Sequence, residues 1–378
     1  MTLSLEILDQ LVAFDTVSDR SNLDLIAYIE SFLVSRGFRT HRIPDPELEK
    51  AGLYAEIGPN AEGGLLLSAH SDVVPVAGQS WTKPPFKLMQ EGDLFYGRGT
   101  TDMKGFLAEM LAVADIASRT TLKEPLKLLI SYDEEVGCTG IAKMQTEFQA
   151  LLGKPRVAIV GEPTEMQIAT GHKGKRSYQA QITGEAGHSA LSPRFVSALQ
   201  IGVDFVLALR ELQDDLQQNG AKDCDYDISY STVHVGKLNS GTALNIVPDK
   251  AELLFEFRHL AEDNPDVLEA RVEALADAVV SKVQDRAAIK LKRLAAYPGL
   301  ETSREHPAVT AALRWSEQDT CKVAFGTEAG FFADLNIPTI VCGPGSMSGQ
   351  GHKADEYIAR SQLLACSQML GKALESIQ

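Results

Sequence analysis

The first 173 residues alternate short apolar runs with stretches that carry apolar side chains at helical spacing. Three runs, 64–70, 126–135 and 156–163, predict buried strands, and each ends in polar or acidic residues. Between them, residues 102–118 place apolar side chains at the spacing of a helix. Strands that alternate with helices predict an α/β domain, with a mostly parallel sheet and helices on both faces.

From residue 174 the pattern changes to alternating polar and apolar positions, which are typical of half-exposed strands. The predicted order is strand, helix, strand, strand, helix (264–286) and strand. This is the order of a ferredoxin-like, split βαβ unit of the α+β class, with an antiparallel sheet and helices on one face. After residue 296 a helix, a strand and a last helix follow. We therefore expect a larger domain, 1–173 and 297–378, interrupted by an inserted domain, 174–296.

The charge balance narrows the possible partners. The 378 residues include 36 Lys and Arg against 51 Asp and Glu, a net charge of −15, which disfavours nucleic acid and anionic membranes. The amino terminus has no basic segment before an apolar core, and no apolar run approaches the ~18 residues of a membrane span. Five scattered cysteines without a CxxC pair disfavour disulfides and a thiolate zinc site. The expected location is the cytoplasm.

Carboxylates follow two of the predicted buried strands. Asp133, Glu134 and Glu135 come directly after one apolar run, and Glu162 comes at the end of the next. In open parallel sheets, ligands bind beyond the carboxyl ends of the strands. Several carboxylates in a partly dry cleft repel one another, and bound cations relieve that repulsion. The pattern therefore predicts a cation site at this edge of the sheet.

Five further residues are candidates for the chemistry but also fit ordinary structural roles. His70 closes the first buried strand, and Asp72 lies on the same side of it, where its carboxylate could orient a metal-bound imidazole. A buried histidine satisfied by a carboxylate has the same pattern. Taken alone, Asp102 is better explained as a helix N-cap. His188 and His352 lie in glycine-rich segments, where a histidine without a special function is common.

The motifs become specific as an ordered series. H-x-D, GRGTTDMKG, DEE, GEPT, GHSA, LNIVPDKAE, FRH and GHKADEY occur in this order over nearly the whole chain. The series resembles the di-zinc aminoacylase and carboxypeptidase family. The resemblance implies an enzyme that hydrolyses a linear amide bond with two Zn²⁺ ions per subunit, for which Co²⁺ or Mn²⁺ could substitute.

The resemblance also assigns metal ligands. It implies that Asp102 bridges the two ions, that His70 and Glu162 hold one of them, and that Glu135 and His352 hold the other. Glu134 matches the family's general base, which takes a proton from the shared water and passes it to the leaving nitrogen.

Further roles carried over from the family concern the inserted domain, which is expected to form a homodimer and to close over the site. His188 matches a histidine that reaches the partner subunit's site and stabilises the tetrahedral oxyanion. Asn245 and Arg258 match substrate contacts, and an arginine fork suits an α-carboxylate. Arg258 could equally pair with Glu256 or Glu252 as surface structure.

Within the family, residues 326–345 resemble members that convert N²-acetyl-L-ornithine to L-ornithine and acetate in arginine biosynthesis. The branch that removes succinyl groups is expected to carry Ser and Asp in place of Glu328 and Ala329. Glu328, or another acid in the pocket, would receive the distal ammonium of the substrate. The rival predictions are a relative acting on another N-acyl amino acid or a dipeptide, and a relative that binds metal without catalysis.

Overall fold

The computed structural model describes residues 2–283 and 286–378. The chain divides into two compact units. One comprises Met1–His172 and Leu300–Gln378, and the other comprises Lys173–Gly299. Each unit has a hydrophobic core of its own. The predicted insert, 174–296, lies within the second unit.

The first unit contains most of the helices and strands, which are numbered here along the whole chain. Its helices are α1 Thr2–Ala13, α2 Leu23–Val34, α3 Lys104–Ala117, α4 Thr139–Leu151, α7 Pro307–Ser316, α8 Ala329–Ala333 and α9 Arg360–Glu375. Its strands are β1 Arg39–Pro44, β2 Ala51–Ile57, β3 Leu65–His70, β4 Met89–Glu91, β5 Leu94–Tyr96, β6 Leu126–Ser131, β7 Val157–Pro163, β8 Ile168–His172, β15 Leu300–Glu301, β16 Thr320–Val323, β17 Thr339–Gly343 and β18 Tyr357–Ala359.

The main sheet of this unit is mixed, with a parallel centre. The strand order is β1-β2-β6-β3-β7-β17-β8-β15, and β16 pairs with β8. The four central strands, β6, β3, β7 and β17, are parallel to one another. At the edges, β1 and β2 are antiparallel, as are β8 and β15. Short connections such as the one between β1 and β2 allow only antiparallel pairing. The predicted α/β class is confirmed.

The apolar runs form strands because both faces of the sheet are covered. All six residues of β3 and all six of β6 are buried, although successive side chains point to opposite faces. The helix predicted over 102–118 is α3, which begins at Lys104. The strand predicted over 126–135 ends earlier, at Ser131, because Asp133 adopts φ +54° and turns the chain.

The second unit follows the predicted β-α-β-β-α-β order. Its elements are β9 Gly174–Thr183, β10 Gly187–His188, a 3-10 helix Ser189–Arg194, α5 Ala198–Asn219, β11 Thr232–Ser240, β12 Ile246–Val247, β13 Lys250–His259, α6 Pro265–Ser281 and β14 Ala288–Tyr297. Four strands form an antiparallel sheet in the order β11-β13-β9-β14.

Burial alternates along β13, so one face of this sheet packs on helices and the other remains open. The helix predicted over 264–286 begins where expected, since the Asn264 side chain accepts a hydrogen bond from the Asp266 N–H. It ends at Ser281. Gln284 and Asp285 of that prediction lie outside the described residues. None of the helices in the described part of the chain has the length and apolarity that a membrane crossing requires.

Candidate metal centre

The parallel strands bring the predicted ligands to one edge of the sheet. His70 is the last residue of β3, and it lies beside Ser131, the last residue of β6. Glu162 belongs to the end of β7 on the other side of β3. Gly161 allows this arrangement, because a Cβ there would lie 2.0 Å from the Phe106 ring of α3. The carboxyl ends of three adjacent strands therefore carry imidazole and carboxylate groups side by side.

Two groups of side chains at this edge have the geometry of metal sites. The first consists of His70, Asp102 and Glu162, whose ligand atoms all lie within 4.8 Å of one another. His70 Nε2 lies 3.0 Å from Asp102 Oδ1 and 3.7 Å from Glu162 Oε1. All three residues are buried.

The second group shares Asp102 with the first. Its ligand atoms, from Asp102, Glu135 and His352, also lie within 4.8 Å of one another. His352 Nε2 lies 3.1 Å from Asp102 Oδ2 and 3.0 Å from Glu135 Oε2. The two oxygens of Asp102 thus face two different histidines, which is the arrangement of a bridging carboxylate. The His352 side chain remains 45% exposed, so the cluster is open to solvent on this side.

The crowding of negatively charged carboxylates in this cluster favours the binding of cations. Burial raises the pKa of Glu162 well above its ordinary value, and the charge of Asp102 adds to this rise. Burial and the charge of Asp102 also raise the pKa of Glu135, to about 7. Hydrogen bonds to Asp102 and Glu135 raise the pKa of His352 to about 10. Without cations, protons on the histidines offset the crowded carboxylates. Zinc ligands are neutral imidazoles and ionised carboxylates, so metal ions would take the place of those protons.

Zinc binding is therefore expected to release protons. The raised pKa of His352 keeps its imidazole protonated at neutral pH in the metal-free protein, and the imidazole must lose that proton to become a ligand. The zinc affinity should accordingly fall as the pH is lowered. Calorimetric zinc titrations at pH 7.5, in two buffers of different ionisation enthalpy, should give heats that differ between the buffers, because the ligands release protons as zinc binds. Heats that do not depend on the buffer would show that the imidazoles are neutral before metal binds.

Asp102 is not an N-cap, the alternative role that its sequence position allowed. Met103 takes the cap position of α3, with no side-chain capping bond, and the helix begins one residue later. The N–H groups of Thr101 and Asp102 instead donate to the Glu356 carboxylate, at 2.9 and 3.1 Å. The Glu356 carboxylate thus holds the backbone just before α3, where the Asp102 side chain faces the two histidines.

Asp72 contacts His70 through its carbonyl oxygen as well as through the carboxylate that the sequence predicted. The carbonyl oxygen of Asp72 accepts the hydrogen bond from His70 Nδ1 at 2.9 Å, whereas the nearer carboxylate oxygen is 3.6 Å away. The carboxylate accepts bonds from the N–H groups of Glu134 at 3.1 Å and Glu135 at 3.2 Å, and from Ser18 Oγ at 2.6 Å. Asp72 therefore fixes both the imidazole and the segment that carries the predicted base.

The three consecutive carboxylates have separate surroundings. Glu135 belongs to the second metal group. Asp133 forms an ion pair with the buried Lys50, so the expectation that all three crowd around cations is wrong for this residue. Glu134 accepts a bond from the Cys138 thiol at 3.3 Å. Burial raises the pKa of Glu134 well above its ordinary value, against the nearby charge of His70, as suits a group that must bind and release a proton.

Glu328 lies just before α8 and is 1% exposed. Its Oε2 accepts a hydrogen bond from Ser131 Oγ at 2.8 Å, and its Oε1 has no partner among the described residues. Burial raises its pKa to about 7, although the nearby charge of His70 opposes the rise. This buried carboxylate is therefore held by Ser131, the β6 residue beside His70, and one of its oxygens has no partner among the described residues.

The predicted residues of the second unit fall into two places. His188 in β10 pairs with Ile246 in β12, and the Ser189 N–H donates to the Asn245 carbonyl at 3.0 Å. His188 and Asn245 are thus neighbours, and both are exposed. Arg258 lies near the far end of β13, where its Nε donates to Glu256 Oε1 at 2.9 Å. The alternative pairing of Arg258 with Glu256 is therefore present.

Sequence reasoning missed the residues that hold these side chains in place. Lys50 forms an ion pair with Asp133, which lies 83 residues further along the chain, and no local sequence pattern indicates that the two residues meet. Ser18 holds Asp72 in the same way, across 54 positions. The role of Ser131, which donates to Glu328, was easier to predict. Ser131 is a polar residue that directly follows the apolar residues 128–130 at the end of β6.

Comparison with known proteins identifies the class. Residues 66–376 match the model of peptidase family M20/M25/M40. The match covers most of the chain and includes both histidines and all three acids of the two metal groups. The chain belongs to this family and is a metal-dependent hydrolase of amide bonds.

Acetylornithine deacetylases are among its most similar curated relatives. The protein from Pasteurella multocida (strain Pm70) is 32% identical over 378 residues, covering 98% of this chain and 97% of that protein. The protein from Shigella sonnei (strain Ss046) is 34% identical over 364 residues, covering 94% and 92%.

Solved structures share the fold at low identity. An M20 family metallo-carboxypeptidase from Sulfolobus solfataricus matches with a TM-score of 0.81 at 19% identity, covering 99% of both chains. A dinuclear metal binding peptidase of the M20 family from Bacillus subtilis matches with a TM-score of 0.71 at 16% identity, covering 100% of this chain and 98% of that one. These similarities show the fold.

Proposed function

We propose that this protein hydrolyses N²-acetyl-L-ornithine to L-ornithine and acetate at a centre of two zinc ions. The ligands would be His70, Asp102, Glu135, Glu162 and His352. The observation that carries the proposal is the position of Asp102, which presents one carboxylate oxygen to each histidine. The dinuclear peptidase of the same fold and the deacetylases of similar sequence support the metals and the reaction.

The mixed set of imidazole and carboxylate ligands suits zinc, and cobalt or manganese could replace it. When bound, the two cations would polarise the amide carbonyl and acidify a water molecule. Glu134 would take a proton from that water while the water oxygen attacks the carbonyl carbon. It would then give the proton to the amide nitrogen as the C–N bond breaks. Asp72 keeps Glu134 beside the ligands by accepting its backbone N–H.

The charges of the substrate match side chains outside the ligand set. The substrate has an α-carboxylate and a distal ammonium. Arg258 offers a guanidinium fork that suits the carboxylate. Glu328 would receive the ammonium at Oε1, which has no partner among the described residues. A cation at that oxygen would also favour the ionised form of a carboxyl group whose pKa is otherwise raised by burial to about 7.

The substrate assignment predicts a charge-dependent loss in a Glu328→Gln variant. Initial rates would be measured on N-acetyl-ornithine, N-succinyl-diaminopimelate, N-acetyl-methionine and several dipeptides, with and without chelator. We expect the wild type to hydrolyse N-acetyl-ornithine faster than the other substrates, and we expect activity only in the samples without chelator. Glu328→Gln should raise KM for this substrate more than for N-acetyl-methionine, which has no distal charge. If the wild type prefers another compound of the panel, the proposed substrate is wrong. If Glu328→Gln raises KM equally for N-acetyl-ornithine and N-acetyl-methionine, the proposed role of Glu328 is wrong.

The geometry of the second unit supports a shared site in a homodimer. His188 and Asn245 lie beyond the Lys250 end of β13, while Arg258 lies eight residues along the strand. Eight residues of extended strand span roughly 26 Å, which is much longer than an acylated amino acid. If Arg258 and His188 act on one substrate molecule, they must come from different copies of the chain. His188 of the partner subunit would then donate a hydrogen bond to the oxyanion of the tetrahedral intermediate.

Mixing two inactive variants tests this arrangement. His188→Ala and Glu134→Ala homodimers should each have little activity. Exchanging their subunits should restore up to about one quarter of the wild-type rate, because half of the dimers would be mixed and each would have one complete site. No recovery, with subunit exchange confirmed by mass spectrometry, would show that His188 acts within its own subunit. As the matched control, each variant alone is taken through the same subunit-exchange procedure, and its activity is measured.

A further inference from the structure

Glu356 lies four residues after His352 and directly before β18. It is 1% exposed, and its carboxylate accepts four hydrogen bonds. Oε1 accepts from the N–H groups of Thr101 at 2.9 Å and Asp102 at 3.1 Å. Oε2 accepts from the Gly99 N–H at 3.0 Å and from Arg98 Nη1 at 2.6 Å. Every acceptor direction of this buried group thus points at the segment that ends in the bridging aspartate.

Three more bonds join the same pair of segments, and one of them runs from Arg98 Nη1 to the Lys353 carbonyl at 3.3 Å. The Gly97 N–H donates to the Glu356 carbonyl at 2.9 Å. Thr101 Oγ1 donates to the Tyr357 carbonyl at 2.7 Å. Residues 97–102, which end in Asp102, are therefore fastened to residues 352–357, which begin with His352. Asp102 and His352 are far apart in the chain, and the Glu356 contacts join the segments that carry them.

We infer that Glu356 is a positioning residue of the metal centre, one that sets the placement of Asp102 between the two ions. Its carboxylate bonds to backbone N–H groups and to Arg98, and it acts by holding the backbone N–H of Asp102 itself. This inference rests on the proposed two-metal site. Partners that orient metal ligands in this way typically contribute 10–100-fold to metal affinity, so roughly that loss is expected when they are replaced.

The carboxylate chemistry makes the role specific. A glutamine at position 356 would keep one acceptor oxygen and turn an NH₂ group toward two donors, leaving buried N–H groups without partners. An aspartate would keep the charge and withdraw the oxygens by one methylene group. Neighbouring Asp355 offers a matched control, because its carboxylate accepts from the N–H groups of Thr82 at 2.9 Å and Lys83 at 3.1 Å, which belong to a different segment.

The experiment measures zinc affinity by chelator competition in wild type, Glu356→Gln, Glu356→Asp and Asp355→Asn. Cobalt-loaded samples would report the ligand geometry by their visible absorption. We expect Glu356→Gln to bind zinc about 10–100-fold more weakly and to change the cobalt spectrum. Asp355→Asn should remain within about twofold of wild type. Circular dichroism of the metal-free proteins checks that the variants are folded.

Wild-type zinc affinity and an unchanged cobalt spectrum in Glu356→Gln would overturn the inference. If that variant does not fold, Glu356→Asp decides the question in the same way, since its shorter side chain should also weaken zinc binding. A wild-type protein that binds no zinc, cobalt or manganese would instead reject the proposed metal centre. The two failures are therefore distinguishable.

Discussion

Glu134→Gln is expected to lower kcat for N-acetyl-L-ornithine on the order of 10²–10⁴-fold while both metal ions remain bound. Glutamine has nearly the same shape but cannot take a proton from water or pass one to the leaving nitrogen. The metal ligands are untouched, since Glu134 belongs to neither metal group. Metal content by plasma emission spectrometry, together with kcat and KM, would be measured on the same preparation.

Glu147→Gln provides a control, because Glu147 is an acid of the neighbouring helix α4 that pairs with the exposed His41. Its kcat should stay close to wild type. A Glu134→Gln protein with two metals and wild-type turnover would show that another group is the base.

Asp102→Asn is expected to lose both metal ions together. Asp102 is the residue that the two metal groups have in common, and each of its oxygens faces a different histidine. An amide presents a single acceptor oxygen and no negative charge, so it cannot serve two cations. After dialysis against metal-free buffer, the zinc content should fall from two ions per subunit toward zero, and activity should fall to background.

Glu162→Gln is the comparison that makes this result informative. Glu162 belongs to the first group alone, so its variant should lose one ion and keep the other. If Asp102→Asn and Glu162→Gln lose the same single ion, Asp102 does not bridge and the two groups are independent sites.

The fold was predictable because the hydrophobic pattern and the chain order agree. Runs such as β3 are apolar throughout because both faces of the parallel centre are covered, whereas β13 alternates because one face is open. The antiparallel edges of the main sheet carry no such signal. The pairing of β1 with β2 depends on the short connection between them, and the residues of β1 alternate only weakly between buried and exposed positions.

The candidate site was predictable in part. Glu135 and Glu162 stood out because carboxylates follow buried strands. His70, Asp102 and His352 each had an ordinary structural alternative, and only the ordered series of motifs joined them. Their roles as ligands stay a prediction that the geometry supports.

Residues that act through the backbone left no pattern in the sequence. The Asp72 carboxylate lies within ion-pair distance of the imidazole as predicted, but the bonds from its carbonyl to His70 and from its carboxylate to the N–H groups of Glu134 and Glu135 were not predictable. Glu356 accepts from three backbone N–H groups, and any residue type supplies those donors. Such contacts depend on the path of the chain, which residue identities do not reveal.

The most direct test is the anomalous scattering of a zinc-loaded crystal, recorded on both sides of the zinc absorption edge. We predict two peaks per subunit, about 3.5–4 Å apart, as in other two-metal hydrolases. Asp102 should lie between them, with His70 and Glu162 on one peak and Glu135 and His352 on the other. A single peak, or peaks away from Asp102, would contradict the two-metal centre and the proposed function that depends on it.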